Sequence, residues 1–148
     1  MLLATCTELG ALISQTDDKT RQAYQEFGRF LGLAFQVQDD YLGIWGEAEQ
    51  TGKSIASDLL SGKKSLPVLF GLNQKGKFAD RWRKGNIHIE EVPDLAKQLA
   101  NEGGQDFTKQ CVNEFIQSAK SALIVANPQG EAGTALIEFS EQLVDRKS

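Results

Sequence analysis

The chain has 148 residues, 41% hydrophobic and 24% charged, the composition of one ordinary globular domain with its own core. Its 20 acidic side chains outnumber 16 basic ones, for a net charge of -4, which excludes a general nucleic-acid binder with its basic surface. The opening Met1-Leu2-Leu3-Ala4-Thr5-Cys6-Thr7-Glu8 has no basic segment and meets an acid early, so it reads neither as a signal peptide nor as a membrane span, and a cytoplasmic location is the default expectation.

Helical periodicity dominates, and no stretch alternates as a strand would. The spacing predicts a single all-α domain over 1–148, a bundle of about six helices with short connections. The first helix covers about 2–14, with Leu2, Leu3, Cys6, Leu9, Leu12 and Ile13 apolar. Thr16-Asp17-Asp18 signals a new start, and a long second helix runs from about 18 to 45. A polar loop with Gly46 and Gly52 follows. Lys63-Lys64-Ser65-Leu66-Pro67 opens a third helix, with proline in the first turn, where its missing N–H does little harm. That helix stops near Gly76, and 77–88 reads as irregular. Three more helices are expected: about 89–102, closed by Gly103-Gly104; 105–125, ending before Asn127-Pro128; and 130–146.

The second helix is apolar around most of its circumference, as buried helices are. Ala23, Phe27, Phe30, Leu31, Ala34, Val37, Tyr41 and Trp45 form a broad side, flanked by Leu33, Phe35, Leu42 and Ile44. One narrow strip at helical spacing remains: Gln25, Gly28, Arg29, Gly32, Gln36, Asp39, Asp40 and Gly43. The glycines there cost helix stability, which bulky neighbours approaching the backbone would explain. Two adjacent carboxylates in an apolar setting need compensation by a shared proton, a basic side chain or a metal ion; otherwise they sit on a solvated face. Mg²⁺ suits such hard oxygens, since it takes one or two carboxylates with phosphate oxygens and water. Lys53, Lys63 and Lys64 follow shortly after. They read either as an ordinary exposed loop or as point-charge partners of phosphate.

Elsewhere the signals are structural. Cys6 and Cys111 have no metal or disulfide spacing. His88 has no second histidine or nearby cysteine to share a metal. Arg81-Trp82-Arg83-Lys84 is a small basic-aromatic cluster, read as a solvated turn ahead of a phosphate contact.

Three segments in order carry a resemblance: Gly32-Leu33-Ala34-Phe35-Gln36-Val37-Gln38-Asp39-Asp40-Tyr41-Leu42, then Thr51-Gly52-Lys53, then Asp58-Leu59-Leu60-Ser61-Gly62-Lys63-Lys64-Ser65-Leu66-Pro67. They resemble the polyprenyl synthetase family, which includes farnesyl and geranylgeranyl diphosphate synthases. The resemblance implies part of the isoprenoid synthase fold, a helical bundle around a deep cavity. It implies a trans-prenyltransferase in which an allylic diphosphate binds through Mg²⁺, ionises, and is attacked by isopentenyl diphosphate. Carried over by residue, Asp39 would be a direct magnesium ligand and Asp40 would act nearby. Gln36 and Phe35 would line the substrate cavity, Lys53 would contact the allylic diphosphate, and Lys63 would support it.

The sequence departs from that pattern at Gly43, where the family usually has a third aspartate, and at Ala56-Ser57 before Asp58. The family's first aspartate-rich motif has no counterpart in the sequence. Independent turnover is therefore not expected. Leu2–Ile13 resembles the stretch just after the family's lysine-threonine motif. A second copy or a complementary N-terminal half is the expected partner, covering the apolar side of the 18–45 helix. The alternative is a non-catalytic helical binding or interaction protein that keeps only the half-bundle.

Overall fold

The computed structural model describes residues 2–46 and 56–144. Among them are eight α-helices and no strand. They are α1 (Leu2–Ile13), α2 (Asp18–Trp45), α3 (Ser57–Leu60), α4 (Leu66–Gln74), α5 (Lys77–Trp82), α6 (Val92–Asn101), α7 (Gly104–Ala126) and α8 (Gly130–Val144), with a 3-10 turn at Ile89–Glu91. The long predicted helices are all present. Gln15 turns the chain out of α1 in the left-handed region, at φ 54°. Asp17 then caps α2: its Oδ1 accepts the Thr20 N–H at 3.0 Å, satisfying an orphan donor of the first turn.

The chain divides into two compact units. One takes the residues up to Gln36 and those from Cys111 onward; the other is Val37–Gln110. The first unit is centred on Phe27, Leu31, Ala119 and Leu123, with Leu3, Tyr24, Phe30, Ala122 and Leu136 packed around them. Here α1 lies close on α2. A Cβ at Gly28 would come within 2.5 Å of the Leu3 carbonyl oxygen, so glycine is what lets the two backbones meet. The Thr7 hydroxyl donates to the Tyr24 carbonyl at 2.7 Å, and Gln25 Nε2 donates to Glu8 at 2.7 Å. Gln25 and Gly28, in the N-terminal part of the polar strip, thus face α1.

The second unit packs Ile44, Ala56, Leu59, Val68, Phe78, Val92, Leu95, Ala96 and Leu99 into one cluster. Trp45 Nε1 donates to the Ala96 carbonyl at 3.3 Å, and Gln105 Nε2 to the Tyr41 hydroxyl at 3.0 Å, which pins the C-terminal end of α2.

Two expectations are corrected. The segment 77–88 is not irregular throughout, because α5 occupies Lys77–Trp82. Its N-terminus is capped from a distance: Glu102 Oε1 accepts the Phe78 N–H at 3.1 Å. The broad side of α2 is also not open. Phe27, Leu31, Ala34, Val37, Tyr41 and Ile44 are all buried. The large apolar side chains left exposed on α1 are Leu2, Leu9, Leu12 and Ile13.

Candidate diphosphate and metal site

Adjacent residues on a helix point about 100° apart, so Asp39 and Asp40 differ in burial. Asp40 is 7% exposed, next to the buried face of Val37, Tyr41 and Ile44. Asp39 lies further round, with its side chain 40% exposed.

Each oxygen of Asp40 has a partner. Oδ2 accepts the Leu66 N–H at 2.9 Å, in the first turn of α4. This places a negative charge at a helix N-terminus, where the aligned peptide dipoles favour it. Ser65, at the N-cap position of α4, makes no side-chain capping bond of its own. Oδ1 of Asp40 lies 3.0 Å from Lys63 Nζ.

Lys63 is delivered by the turn after α3, where Gly62 takes φ 68°, a left-handed conformation that suits glycine. Its ammonium collects three carboxylates: Asp40 Oδ1 at 3.0 Å, Asp58 Oδ2 at 3.0 Å and Asp39 Oδ2 at 3.7 Å. Burial by itself would lower the lysine, but hydrogen bonds to Asp40 and Asp58, and then their charges, hold it well above the ordinary lysine value. The group stays an ammonium throughout the physiological range.

Asp58 is the residue that reading the sequence for a site missed. It is 7% exposed and lies over Gly43. It opens the third segment of the resemblance, five residues before Lys63, but no site role was read for it there. Of the residues singled out in the sequence, Asp39, Asp40 and Lys63 come together. Phe35 and Gln36 belong to the other unit and are exposed, Phe35 at 44%. Lys53 lies outside the described residues. Within the basic-aromatic cluster Arg81 is committed to structure, since its Nε donates to Glu91 at 2.8 Å and its other nitrogens reach the Gly85 and Asn86 carbonyls.

Among the described residues, no group of three or more His, Cys, Asp or Glu side chains stands ready to enclose a metal ion. The donor set nevertheless fits one type of ion. Three carboxylates already converge on a cation, and one of them, Asp39, is open to solvent. That suits an ion needing one or two protein carboxylates, with the rest of its shell supplied by phosphate and water.

Residues 1–102 match the family model for polyprenyl synthetase. The chain belongs to the polyprenyl synthetase family. It is 46% identical over 155 aligned residues to a (2E,6E)-farnesyl diphosphate synthase of Mycobacterium tuberculosis, covering 99% of this chain and 43% of that protein. It is 34% identical to a geranylgeranyl diphosphate synthase of the same organism, over 99% of this chain and 42% of that one. In three dimensions it is similar to a polyprenyl synthetase from Streptomyces coelicolor, with TM-score 0.87 and 31% identity over 97% of this chain and 46% of that chain. A geranylgeranyl pyrophosphate synthase from Corynebacterium glutamicum, solved with calcium and isoprenyl diphosphate, is similar at TM-score 0.81 and 25% identity, covering 97% of this chain and 45% of that chain. The chain spans less than half the length of these relatives. As expected from the resemblance, the fold is all-α and the likeness is to prenyl diphosphate synthases. No helix among its described residues is long and apolar enough to cross a membrane.

Proposed function

We propose that this chain forms the magnesium–diphosphate half of a trans-prenyl diphosphate synthase site, acting on an allylic isoprenoid diphosphate. The observation that carries it is the meeting of Asp39, Asp40 and Asp58 at the Lys63 ammonium, between the end of α2 and the start of α4. Asp39, the more exposed carboxylate, would hold Mg²⁺ directly. Asp40 is already committed to Lys63 and the Leu66 N–H, so it would shape the site from behind. Lys63 would meet the diphosphate as a point charge, and Lys53 would join it. When bound, the ion supplies charge neutralisation for a departing diphosphate. The likeness to a protein solved with calcium and isoprenyl diphosphate supports this reading.

The same reading expects a partner, either a second copy or a complementary N-terminal half of the fold. Leu2, Leu9 and Ile13 fall on one stripe of α1 and are all exposed, which is the kind of apolar surface that marks an interface. Turnover would require that partner, because an open half-cage does not keep water from a carbocation.

The test is isothermal calorimetry of inorganic pyrophosphate binding with and without Mg²⁺. Asp39→Ala should weaken the magnesium-dependent binding about tenfold or more, equivalent to about 1.4 kcal/mol, while Asp17→Ala in the remote α2 cap should not. Equal binding by both variants, or no magnesium-dependent binding by the unaltered chain, would remove the proposal.

A further inference from the structure

Gly43 lies one helical turn beyond Asp39 and Asp40. A Cβ built there would stand 2.5 Å from both the carboxyl carbon and Oδ2 of Asp58, inside the 3.0 Å limit that real Cβ contacts respect. A side chain at 43 and the Asp58 carboxylate therefore compete for the same space. Asp58 arrives from α3, a helix of only four residues, whose preceding Ala56 is held in the left-handed region at φ 51°. For a residue with a Cβ that conformation is strained. A buried carboxylate is also costly unless something positive compensates it. What compensates Asp58 is Lys63, the ammonium that Asp40 also holds, 3.0 Å away in each case.

The geometry points to Asp58 as a further positioning residue of the site proposed above. From a neighbouring helix it supplies a third carboxylate in the space a side chain at 43 would fill. It also fixes the Lys63 ammonium beside Asp39 and Asp40. Glycine at 43 is the condition that admits it. This rests on the reading of that site as a magnesium–diphosphate site.

The experiment uses the whole 148-residue chain, with inorganic pyrophosphate and Mg²⁺ as probes, read by calorimetry beside thermal unfolding. Asp58→Asn keeps the shape and removes the charge, and it should weaken magnesium-dependent pyrophosphate binding about tenfold. Gly43→Ala changes no charge but displaces the carboxylate, and it should weaken binding in the same direction. The double variant Gly43→Asp with Asp58→Gly returns a carboxylate to the vacated space and should recover binding to within about threefold of the unaltered chain. A purely structural role would lower the unfolding temperature in all three without that recovery. Asp58→Asn binding as tightly as the unaltered chain would overturn the inference and leave the site proposal standing, as would a double variant no better than Asp58→Asn. An unaltered chain that shows no magnesium-dependent binding would overturn both.

Discussion

Asp40 Oδ2 accepts the backbone N–H of Leu66 at 2.9 Å, so a carboxylate on α2 caps α4 across 26 residues of sequence. This divides the paired aspartates by task. Asp40→Ala leaves the α4 N–H without its acceptor and Lys63 without one buried partner. It should cost about 1–3 kcal/mol in urea denaturation. Asp39→Ala, at a half-exposed position, should stay within about 0.5 kcal/mol. The two variants should thus rank oppositely in stability loss and in selective loss of magnesium-dependent pyrophosphate binding with the fold intact.

Lys63 is the cation that lets Asp40 and Asp58 be buried together. Lys63→Met keeps much of the stem and removes the charge. Breaking a fully buried pair costs about 3–5 kcal/mol, and the 40% exposure of the Lys63 side chain reduces this to about 1–2 kcal/mol. Millimolar Mg²⁺ should recover part of that loss, raising the melting temperature of Lys63→Met more than that of the unaltered chain. An equal shift in both would show that the ion does not bind at these carboxylates.

The Arg81–Glu91 pair sets a pH window. The hydrogen bond from Arg81, then the one from the His88 N–H, depresses the Glu91 carboxyl from its ordinary value to about 2. A depressed carboxyl contributes stability that is complete above the unfolded value and lost as pH falls toward the folded one. Glu91→Gln should therefore narrow its stability difference from the unaltered chain as pH drops from about 5 to about 2, and show a constant difference above that window. Thermal melts of the two proteins at matched pH measure it.

Glu102 holds α5 in place. Its Oε1 accepts both the Phe78 N–H at 3.1 Å and Gln98 Nε2 at 2.7 Å. Glu102→Ala should destabilise by about 1–2 kcal/mol, with faster amide exchange confined first to the first turn of α5. Uniform loss of protection throughout the chain would argue against this local role.

Association is the remaining expectation. Static light scattering at micromolar concentration should give a mass above that of one chain, and Leu9→Lys or Ile13→Lys on exposed α1 should reduce it. A monomeric mass for the unaltered chain would exclude α1 as a self-association surface.

Much of this molecule was legible in its sequence because helices are local. The start of α2 at Asp18 and its end at Trp45 follow from a cap signal and from periodicity, which neighbours along the chain determine. Asp39, Asp40 and Lys63 were legible as members of motifs whose order carried the family, but their contact with one another was not. What the pattern could not show depends on groups far apart in sequence. The α5 helix is six residues long and capped by Glu102, so no local window reveals it. The polar strip of α2 looked like one face with one purpose, yet Gly28 admits α1 and Gly43 admits Asp58.

By itself, then, the sequence determined an all-α chain, its long helices and the family. Each of these depends on periodicity, caps and residue order within a few turns of helix. Only the tertiary structure decided which carboxylates share one ammonium, which of them is buried, and which glycine makes room. Those are relations of distance and burial between separate helices, and a carboxylate's role is set by the charges and space it meets there.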